Sequence, residues 1–313
     1  MKLARAALAA LALVCAAAAP RTIGPPPQPA DNPSNPAKVE LGRRLFYDAD
    51  LSIDGTMSCA TCHEQKNAFA DGNRTHPGAT GEPGRRNVMA LANVGYLPSL
   101  TWGDPRVQRL EDQARIPLFG DHPVEMAMGG QDAELARRLS ANACYRRLFA
   151  AAFPERGGRI ATPQVVDAIA AFERTLVSFD APVDRGRLSP QARLGQARFR
   201  AACASCHAGA LFTDGAFHGI GQTAGEDQGL AEITHRPSDA YAFRTPSLRN
   251  VALTGPYLHD GSAADLQAAI AAHRMLRPSP AEADQLIAFL RALTDESFVR
   301  DPRLSLPKPD CPL

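Results

Sequence analysis

Charge bias, aromatic residues and long hydrophobic runs are all scarce in this 313-residue chain. Its 34 Lys and Arg residues against 33 Asp and Glu leave a formal net charge of +1, which offers no basic surface for nucleic acid. No apolar run beyond the N-terminus reaches the roughly 18 residues of a membrane span. Seven cysteines are too few for disulfide bonds to be the main stabilising feature of a chain of this length. We therefore expect a globular protein of one or two domains, without a membrane span.

The N-terminal residues have the pattern of a targeting segment rather than of a folded element. Lys2 and Arg5 precede an apolar, alanine-rich stretch, the pattern of a secretory signal peptide. We expect this signal peptide to cover residues 1–18 and to direct the mature protein to the periplasm, with Cys15 leaving a lipoprotein signal as the alternative. Residues 19–36 are rich in proline and are expected to form an extended leader without a packing role.

Two Cys-x-x-Cys-His motifs dominate the sequence. Thiols three positions apart can both add to the vinyl groups of one haem, and the following histidine then faces the iron as proximal ligand. A zinc site or a redox dithiol would leave both histidines unexplained. We therefore predict two covalently bound haem c groups. The residues that hold them are Cys59, Cys62 and His63 in the first motif and Cys203, Cys206 and His207 in the second.

The surroundings of the two motifs repeat in the same order, which indicates two related haem domains. The paired segments are Leu41–Phe46 with Leu194–Phe199, Phe69–Gly72 with Phe212–Gly215, and Arg86–Val88 with Arg249–Val251. We place an N-terminal haem domain over residues 37–182 and a C-terminal haem domain over residues 183–313.

Helical periodicity recurs in both halves, and sustained alternation typical of a large sheet does not. The apolar positions at helical spacing are Val165, Ile169, Phe172 and Leu176, then Leu286, Phe289, Leu290 and Leu293. The sequence therefore predicts a mainly α fold of two cytochrome-c-like helical haem domains with long loops.

Over residues 37–296 the chain resembles the bacterial di-haem cytochrome c peroxidase and MauG superfamily. The segment Leu118–Met126 resembles most the MbnH-type branch. The resemblance implies a peroxidatic first haem domain, an electron-transfer second haem domain, and hydrogen peroxide as substrate. The segments that carry it are Leu41–His63, Arg85–Asn87, Leu110–Ala114, Ala168–Ser178, the second haem motif and Thr245–Gly261.

The resemblance also implies that the second haem takes a sixth iron ligand from a later helix. The matching position is His273, which lies 17 residues after Pro256. Leu266 and Ile270 share a helical face with His273, which supports this assignment independently. Met275, on the other side of the same predicted helix, stays open as the alternative ligand.

For the first haem, the family's open distal pocket maps onto Gln113, Pro117 and Glu125. A carboxylate there takes a proton from one peroxide oxygen and delivers it to the other. This chain has more residues between Gln113 and Glu125 than the family pattern, so a salt-bridged surface glutamate stays open. His76 as a resting-state iron ligand is a further alternative, although the tryptophan-containing loop motif that accompanies such a histidine is missing.

Two more family features map onto residues of this sequence. Trp102, the only tryptophan, matches the tryptophan that relays electrons between the two haems. Asn87, Thr254 and the carbonyl of Pro256 match a calcium site at the domain junction, where oxygen ligands suit a hard cation. The resemblance therefore implies one calcium ion in addition to the haems.

Cys144 and Cys311 lie outside both haem motifs. In an oxidising compartment the two can pair and tie the C-terminal tail to the first domain. Each can equally remain a free thiol, because sequence alone does not give disulfide connectivity.

Three functions follow from these features. In the first, hydrogen peroxide builds a high-valent di-haem state that oxidises a residue of a partner protein, a tryptophan in MauG and MbnH. His273, the missing loop motif and the MbnH-like segment favour this function. In the second, a peroxidase reduces hydrogen peroxide with electrons from a small redox protein, and Met275 as ligand would favour it. In the third, the chain is a non-catalytic electron-transfer di-haem cytochrome.

Overall fold

A computed structural model of the chain describes residues 23–222 and 225–312, so the predicted signal peptide lies outside the described residues. The fold is mainly α, as predicted. Across these two ranges no helix is both long and apolar enough to cross a bilayer. The helices are α1 Pro36–Phe46, α2 Cys59–Cys62, α3 Leu110–Phe119, α4 Asp132–Ala141, α5 Ala143–Ala152, α6 Thr162–Glu173, α7 Pro190–Ala202, α8 Ala231–Thr234, α9 Leu266–Ala272 and α10 Pro280–Arg291.

Strands contribute little to this fold. For the described residues, strand pairing beyond isolated bridges is one short antiparallel pair, β1 Phe217–His218 with β2 Phe243–Arg244. The backbone N–H of Arg244 also donates to the carbonyl of Trp102 at 2.9 Å. Strand β2 therefore joins the loop of Trp102 to the second half of the chain.

Each half of the chain has its own buried hydrophobic cluster. In the first, Phe46 of α1 packs on Phe172 of α6 with ring centroids 5.3 Å apart. In the second, Phe199 of α7 packs on Phe289 of α10 with centroids 5.0 Å apart. The repeated Leu-Gly-x-x-x-Phe segments therefore occupy equivalent places in two similar cores.

A glycine in the first helix of each cluster permits this packing. A Cβ atom at Gly42 would lie 1.8 Å from the carbonyl oxygen of Ala168. A Cβ atom at Gly195 would lie 1.8 Å from the carbonyl oxygen of Gln285. Helix pairs α1–α6 and α7–α10 thus approach too closely for any side chain at these two positions.

The last part of the chain returns to the first cluster. Phe298 and Leu304 are buried there, and Tyr47 donates a hydrogen bond to the carbonyl of Leu304 at 2.8 Å. A disulfide joins Cys144 of α5 to Cys311, so the pairing left open by the sequence is present. Because the tail crosses between clusters, the division into domains at residues 182 and 183 stays a prediction.

The proline-rich leader packs against the first cluster, so the expectation that it has no packing role is wrong. Asn32 is only 2% exposed. Its side-chain amide donates to Glu111 of α3 at 2.7 Å and accepts from the ammonium of Lys38 at 2.9 Å. The reason is electrostatic: two buried charges on α1 and α3 need a polar partner, and the leader supplies it.

The predicted echo between Arg86–Val88 and Arg249–Val251 is also wrong in detail. Asn93 and Asn250 both have a left-handed backbone, with φ of 61°, and each precedes a short 3-10 turn. Asn93, rather than Asn87, is therefore the structural equivalent of Asn250. Local sequence similarity alone did not distinguish the two asparagines of the first half.

These two asparagines join the clusters through one buried polar group. The side-chain amide of Asn93 donates to the carbonyl of Ser178 at 2.9 Å. The amide of Asn250 donates to the hydroxyl of Ser178 at 2.9 Å, and that hydroxyl donates to Asp295 at 3.0 Å. All four residues are buried. A fully satisfied buried network of this kind fixes how the two halves meet.

Candidate functional site

The histidines of the two Cys-x-x-Cys-His motifs are held in the same way. Nδ1 of His63 lies 2.8 Å from the carbonyl of Phe69, and Nδ1 of His207 lies 3.2 Å from the carbonyl of Phe212. Each bond leaves Nε2 as the nitrogen available to a metal, which is the usual arrangement of a ligating imidazole. Burial lowers the pKa of His63, and it lowers that of His207 to about 4. Both rings are therefore neutral at neutral pH, as iron ligation requires.

The structure brings His273 opposite His207. Their ring centroids are 6.4 Å apart with an interplanar angle of 60°. Two imidazoles on opposite sides of one metal ion, each at about 2 Å, have centroids about 6 Å apart. Nδ1 of His273 lies 2.9 Å from the carbonyl of Ala269, which again leaves Nε2 free for a metal.

Met275 does not share this geometry. Its side chain is 80% exposed, although it lies at the rim of the same cavity as His273. The sequence placed both residues on one helix, but α9 ends at Ala272. The helix stops because the chain turns at His273, whose carbonyl accepts a bond from the N–H of Leu276 at 2.8 Å. His273 as the iron ligand stays a prediction, and this geometry supports it over Met275.

His207 and His273 face a cavity of about 360 Å³, within the size range of cofactor sites. Cys203 and Cys206 also line it. Arg244 lies in the wall, is 3% exposed, and has a buried Nη1 that lacks a hydrogen-bond partner among the described residues. A buried unpaired guanidinium calls for an anion, and haem carries propionates. The residues present therefore fit a covalently bound haem.

Trp102 lies in the wall of the same cavity. Its indole N–H donates to the carbonyl of Asn87 at 2.8 Å. The side chain thus belongs to the first half of the chain but faces the second haem site. Its assignment as a relay between the haems stays a prediction, and its place in this wall supports it.

The three residues assigned to calcium line this cavity as well. Asn87 donates its side-chain N–H groups to the carbonyls of Asn73 and Arg74, at 3.1 and 3.2 Å. Its side-chain oxygen is therefore the atom left to face a cation. Thr254 and Pro256 lie in the same wall and offer further oxygen atoms. The donor types suit calcium, and the site itself stays a prediction.

Glu125 is brought to the first haem motif by a returning loop. Pro117 lies inside α3, and its carbonyl accepts a bond from the N–H of Met126 at 2.9 Å. The carbonyl of Met126 accepts from the N–H of Ile53 at 2.9 Å. The extra residues after α3 form a loop, and Glu125 returns beside Pro117, one helical turn from Gln113.

The electrostatics agree with this placement of Glu125. Burial raises the pKa of the Cys62 thiol to about 12, and the charge of Glu125 acts in the same direction. Burial also raises the pKa of Glu125, and the nearby charge of His76 works against that rise. The alternative of a salt-bridged surface glutamate is not what the geometry favours, because the described contacts of Glu125 include no ion pair. Its role in proton transfer stays a prediction.

His76 sits on a hairpin that packs against Glu125. The N–H of Ala79 donates to the carbonyl of Glu125 at 2.6 Å. A Cβ atom at Gly78 would lie 1.8 Å from the carbonyl oxygen of Val124, so only glycine permits this contact. Nδ1 of His76 lies 2.8 Å from the carbonyl of Pro77. His76 is thus placed near the predicted distal pocket, and its role as an iron ligand stays an alternative.

Four charged residues have a buried side-chain atom without a hydrogen-bond partner among the described residues: Asp71, Glu173, Arg174 and Arg244. Of these, Glu173 and Arg244 escaped the sequence analysis. Neither follows a Cys, His or Trp signal. The only signal in the sequence is a charge inside an apolar segment, Phe243–Arg244 and Phe172–Glu173, and that pattern is common at helix and strand ends.

Residues 36–192 match a family model described as di-haem cytochrome c peroxidase. The methylamine utilization protein MauG of Methylorubrum extorquens is 38% identical over 254 residues, which cover 78% of this chain and 70% of that protein. The cytochrome c551 peroxidase of Pseudomonas aeruginosa is 32% identical over 294 residues, which cover 88% of this chain and 82% of that protein.

Solved structures show the same relationship. A MauG-like protein associated with microbial copper homeostasis superposes with a TM-score of 0.88 at 37% identity, covering 93% of this chain and 98% of that one. The di-haem peroxidase BthA from Burkholderia thailandensis superposes with a TM-score of 0.69 at 26% identity, covering 86% of this chain and 88% of that one.

Proposed function

Since this chain belongs to the family of di-haem cytochrome c peroxidases and MauG proteins, we propose that it oxidises a tryptophan on a partner protein. It is a peroxidase-type oxidoreductase that acts with hydrogen peroxide. The MauG relatives and the MauG-like structural neighbour support the protein-modifying branch of this family. The observation that carries the proposal is the pairing of His273 with His207 across one cavity.

This pairing matters because axial ligands set the potential of a haem. A thioether ligand raises the reduction potential, whereas a second imidazole leaves it lower. A low-potential second haem is a poor acceptor for electrons from a small redox protein. It suits an enzyme that takes electrons from a protein side chain only after reaction with peroxide.

When bound, the two haems supply the iron that reacts with peroxide and that stores oxidising equivalents. With the first haem bound, Glu125 would take a proton from one oxygen of the peroxide and deliver it to the other. Gln113, one turn before Pro117, orients the peroxide by hydrogen bonding. Glu125 is half-buried, and this burial raises the pKa of its carboxyl.

Trp102 links the first half of the chain to the second haem site. Its indole is held by the carbonyl of Asn87, and its own carbonyl is held by the N–H of Arg244. An indole anchored at its N–H, on a backbone that is itself hydrogen-bonded, passes electrons with little reorganisation. The partner protein then needs only to dock on the surface, and its tryptophan does not enter the pocket.

The second candidate is a peroxidase that takes electrons from a small redox protein. Relatives named as cytochrome c551 peroxidases favour it. Met275 is the residue that would supply the thioether, and it lies at the rim of the second cavity. Its 80% exposure speaks against that role.

We also propose that the mature protein works in the periplasm. The basic start and the apolar stretch over residues 1–18 support export, and the disulfide between Cys144 and Cys311 suits an oxidising compartment. N-terminal sequencing of the protein purified from its host tests this proposal, with cleavage after residue 18 as the expected result.

Two assays on the purified holoprotein separate the two candidates. In one, proteins encoded beside its gene are incubated with the holoprotein and hydrogen peroxide and are analysed by intact and peptide mass spectrometry. In the other, reduced cytochrome c is the electron donor. We expect a peroxide-dependent mass change at a tryptophan of one partner and slow oxidation of cytochrome c. Rapid multiple-turnover oxidation of cytochrome c without any modified partner contradicts the proposal.

A further inference from the structure

Glu173, at the end of α6, is a buried carboxyl that no ion pair explains. Its side chain is 5% exposed, and Oε2 has no hydrogen-bond partner among the described residues. Leaving a buried acid unpaired costs free energy. The residue is absent from every role assigned above, so this cost calls for a separate explanation.

Neither cation near Glu173 donates a hydrogen bond to its carboxyl, although Nη1 of Arg174 is itself buried without a partner among the described residues. Arg174, the next residue on α6, donates Nη2 to both carboxylate oxygens of Glu111 on α3, at 2.7 and 3.0 Å. Lys38 on α1 donates to Asn32 and to the carbonyl of Pro33. Arg174 keeps a partial attraction for Glu173, and the charge of Glu111 opposes it. The attraction of the local charges for an ionised Glu173 is therefore only partial, and burial outweighs it.

The same carboxyl lies beside the attachment point of the first haem. Burial, and after it the nearby charge of Glu173, raises the pKa of the Cys59 thiol. Cys59 packs against the hydrophobic cluster to which α6 belongs. The charge of Glu125 acts on the same thiol more weakly, so Glu173 lies near the attachment point of the first haem.

Burial holds a proton on Glu173 at neutral pH. It raises the pKa of this carboxyl to about 8, although the charge of Arg174 works in the opposite direction. A buried acid that is neutral at rest loses its proton more readily when positive charge accumulates nearby. Removal of an electron from an adjacent haem is such an increase in positive charge.

We propose that Glu173 is a proton site coupled to the oxidation state of the first haem. Loss of one electron from the haem iron is accompanied by loss of one proton from the Glu173 carboxyl to solvent, and reduction returns both. The oxidant is hydrogen peroxide in the reaction of this family, or a redox mediator in a titration. Glu173 thereby limits the charge that builds up at the buried first site.

This inference rests on a haem at the first motif and not on the identity of the partner protein. Glu173 acts through its charge and does not touch peroxide, so it is a positioning residue for protons rather than a catalytic residue. A merely structural glutamate would leave the pH dependence of the haem potential unchanged when replaced. That difference makes the inference testable without any turnover assay.

The test is spectroelectrochemical titration of the holoprotein at a series of pH values, following the first haem through its high-spin absorption. We expect its potential to fall as pH rises through the titration of Glu173, because the carboxylate favours the oxidised iron. In Glu173→Gln this fall disappears and the potential stays close to the low-pH value. Glu125→Gln, the matched change at the second carboxyl whose charge acts on Cys59, keeps the fall.

Two outcomes overturn the inference. One is a Glu173→Gln variant whose potential follows pH as in the unmodified protein. The other is loss of the pH dependence in Glu125→Gln alone, which assigns it to Glu125. If Glu173→Gln fails to load haem, redox-difference infrared spectra of the unmodified holoprotein decide the question. A protonated-carboxyl band that is lost on oxidation supports the inference, and its absence overturns it.

Discussion

The indole N–H of Trp102 donates a hydrogen bond of 2.8 Å to the backbone carbonyl of Asn87. The N–H of Asn87 in turn donates to the carbonyl of His259 at 2.7 Å. His259 stacks on Phe243 with centroids 3.6 Å apart. The tryptophan is therefore tied through two peptide groups to the wall of the second haem cavity, and its position depends on contacts from both halves of the chain.

Replacing Trp102 by phenylalanine removes the easily oxidised indole and its hydrogen bond. We expect peroxide-driven oxidation of the partner protein to slow by an order of magnitude or more, because the relay between the sites is lost. Haem content, measured by pyridine haemochrome, is expected to stay at two per chain. Tyr96→Phe, an aromatic change outside this cavity, is the control, and equal turnover in Trp102→Phe would remove the relay role.

Replacing His273 by alanine tests the sixth ligand. The ring centroids of His207 and His273 are 6.4 Å apart, so we expect the low-spin bis-imidazole signal of the ferric protein to be lost. Met275→Ala is the matched control, since Met275 is 80% exposed, and its signal is expected to be unchanged. If only the Met275→Ala variant had an altered low-spin signal, the result would instead favour a peroxidase that takes electrons from a small redox protein.

Replacing Glu125 by glutamine tests proton transfer at the first haem. We expect peroxide consumption to fall roughly 10²- to 10⁴-fold, the range typical of general acid–base catalysis. Glu155→Gln, an exposed position, is the control. A variant with undiminished consumption would assign the proton transfer elsewhere.

The pH profile of the unmodified protein gives a second test of Glu125. Burial raises the pKa of this carboxyl above its usual range. Because the deprotonated form accepts the peroxide proton, activity is expected to be present above that pKa and to be lost as pH falls through it. The acidic limb should therefore lie at a higher pH than an ordinary glutamate gives, and stopped-flow rates across the range measure it.

Removing the disulfide between Cys144 and Cys311 tests how the tail is held. The bridge spans 167 residues, so its loss frees a long loop in the unfolded state. We expect Cys144→Ser combined with Cys311→Ser to lower the free energy of unfolding by about 2–4 kcal/mol. Urea denaturation measures the change. The double variant has no Cys144–Cys311 bond for a reducing agent to break. If the reducing agent lowers its free energy of unfolding as much as that of the unmodified protein, this disulfide is not the source of the stabilisation.

Much of the fold and of the haem chemistry could be predicted from short spacings. The helical periodicity of Val165 to Phe172 and the family resemblance are confirmed, since each depends on residues close together in sequence. The family implies two haem c groups, and their attachment at the two Cys-x-x-Cys-His motifs stays a prediction. The repeated Gly42 and Gly195 segments take equivalent places in the two cores. These features are local or periodic, and they need no knowledge of long-range contacts.

The features that the sequence could not supply depend on distant contacts. Asn32 is buried because α1 and α3 bring two charges to it. Helix α9 ends at Ala272 because the chain turns to meet the loop around Ile220, where the N–H of Arg274 bonds the carbonyl of that residue at 3.2 Å. Glu173 is recognised as a buried, unpartnered carboxyl only from its neighbours in the folded chain. None of these contacts leaves a periodic pattern.

The most direct test of a peroxide-driven enzyme with two cooperating haems is low-temperature electron paramagnetic resonance of the ferric holoprotein before and after one equivalent of hydrogen peroxide. We expect one high-spin signal and one bis-imidazole low-spin signal at rest, from the haems at His63 and at His207. We expect both signals to be lost together when peroxide is added. Loss of the high-spin signal alone, with the low-spin signal unchanged, would contradict this expectation.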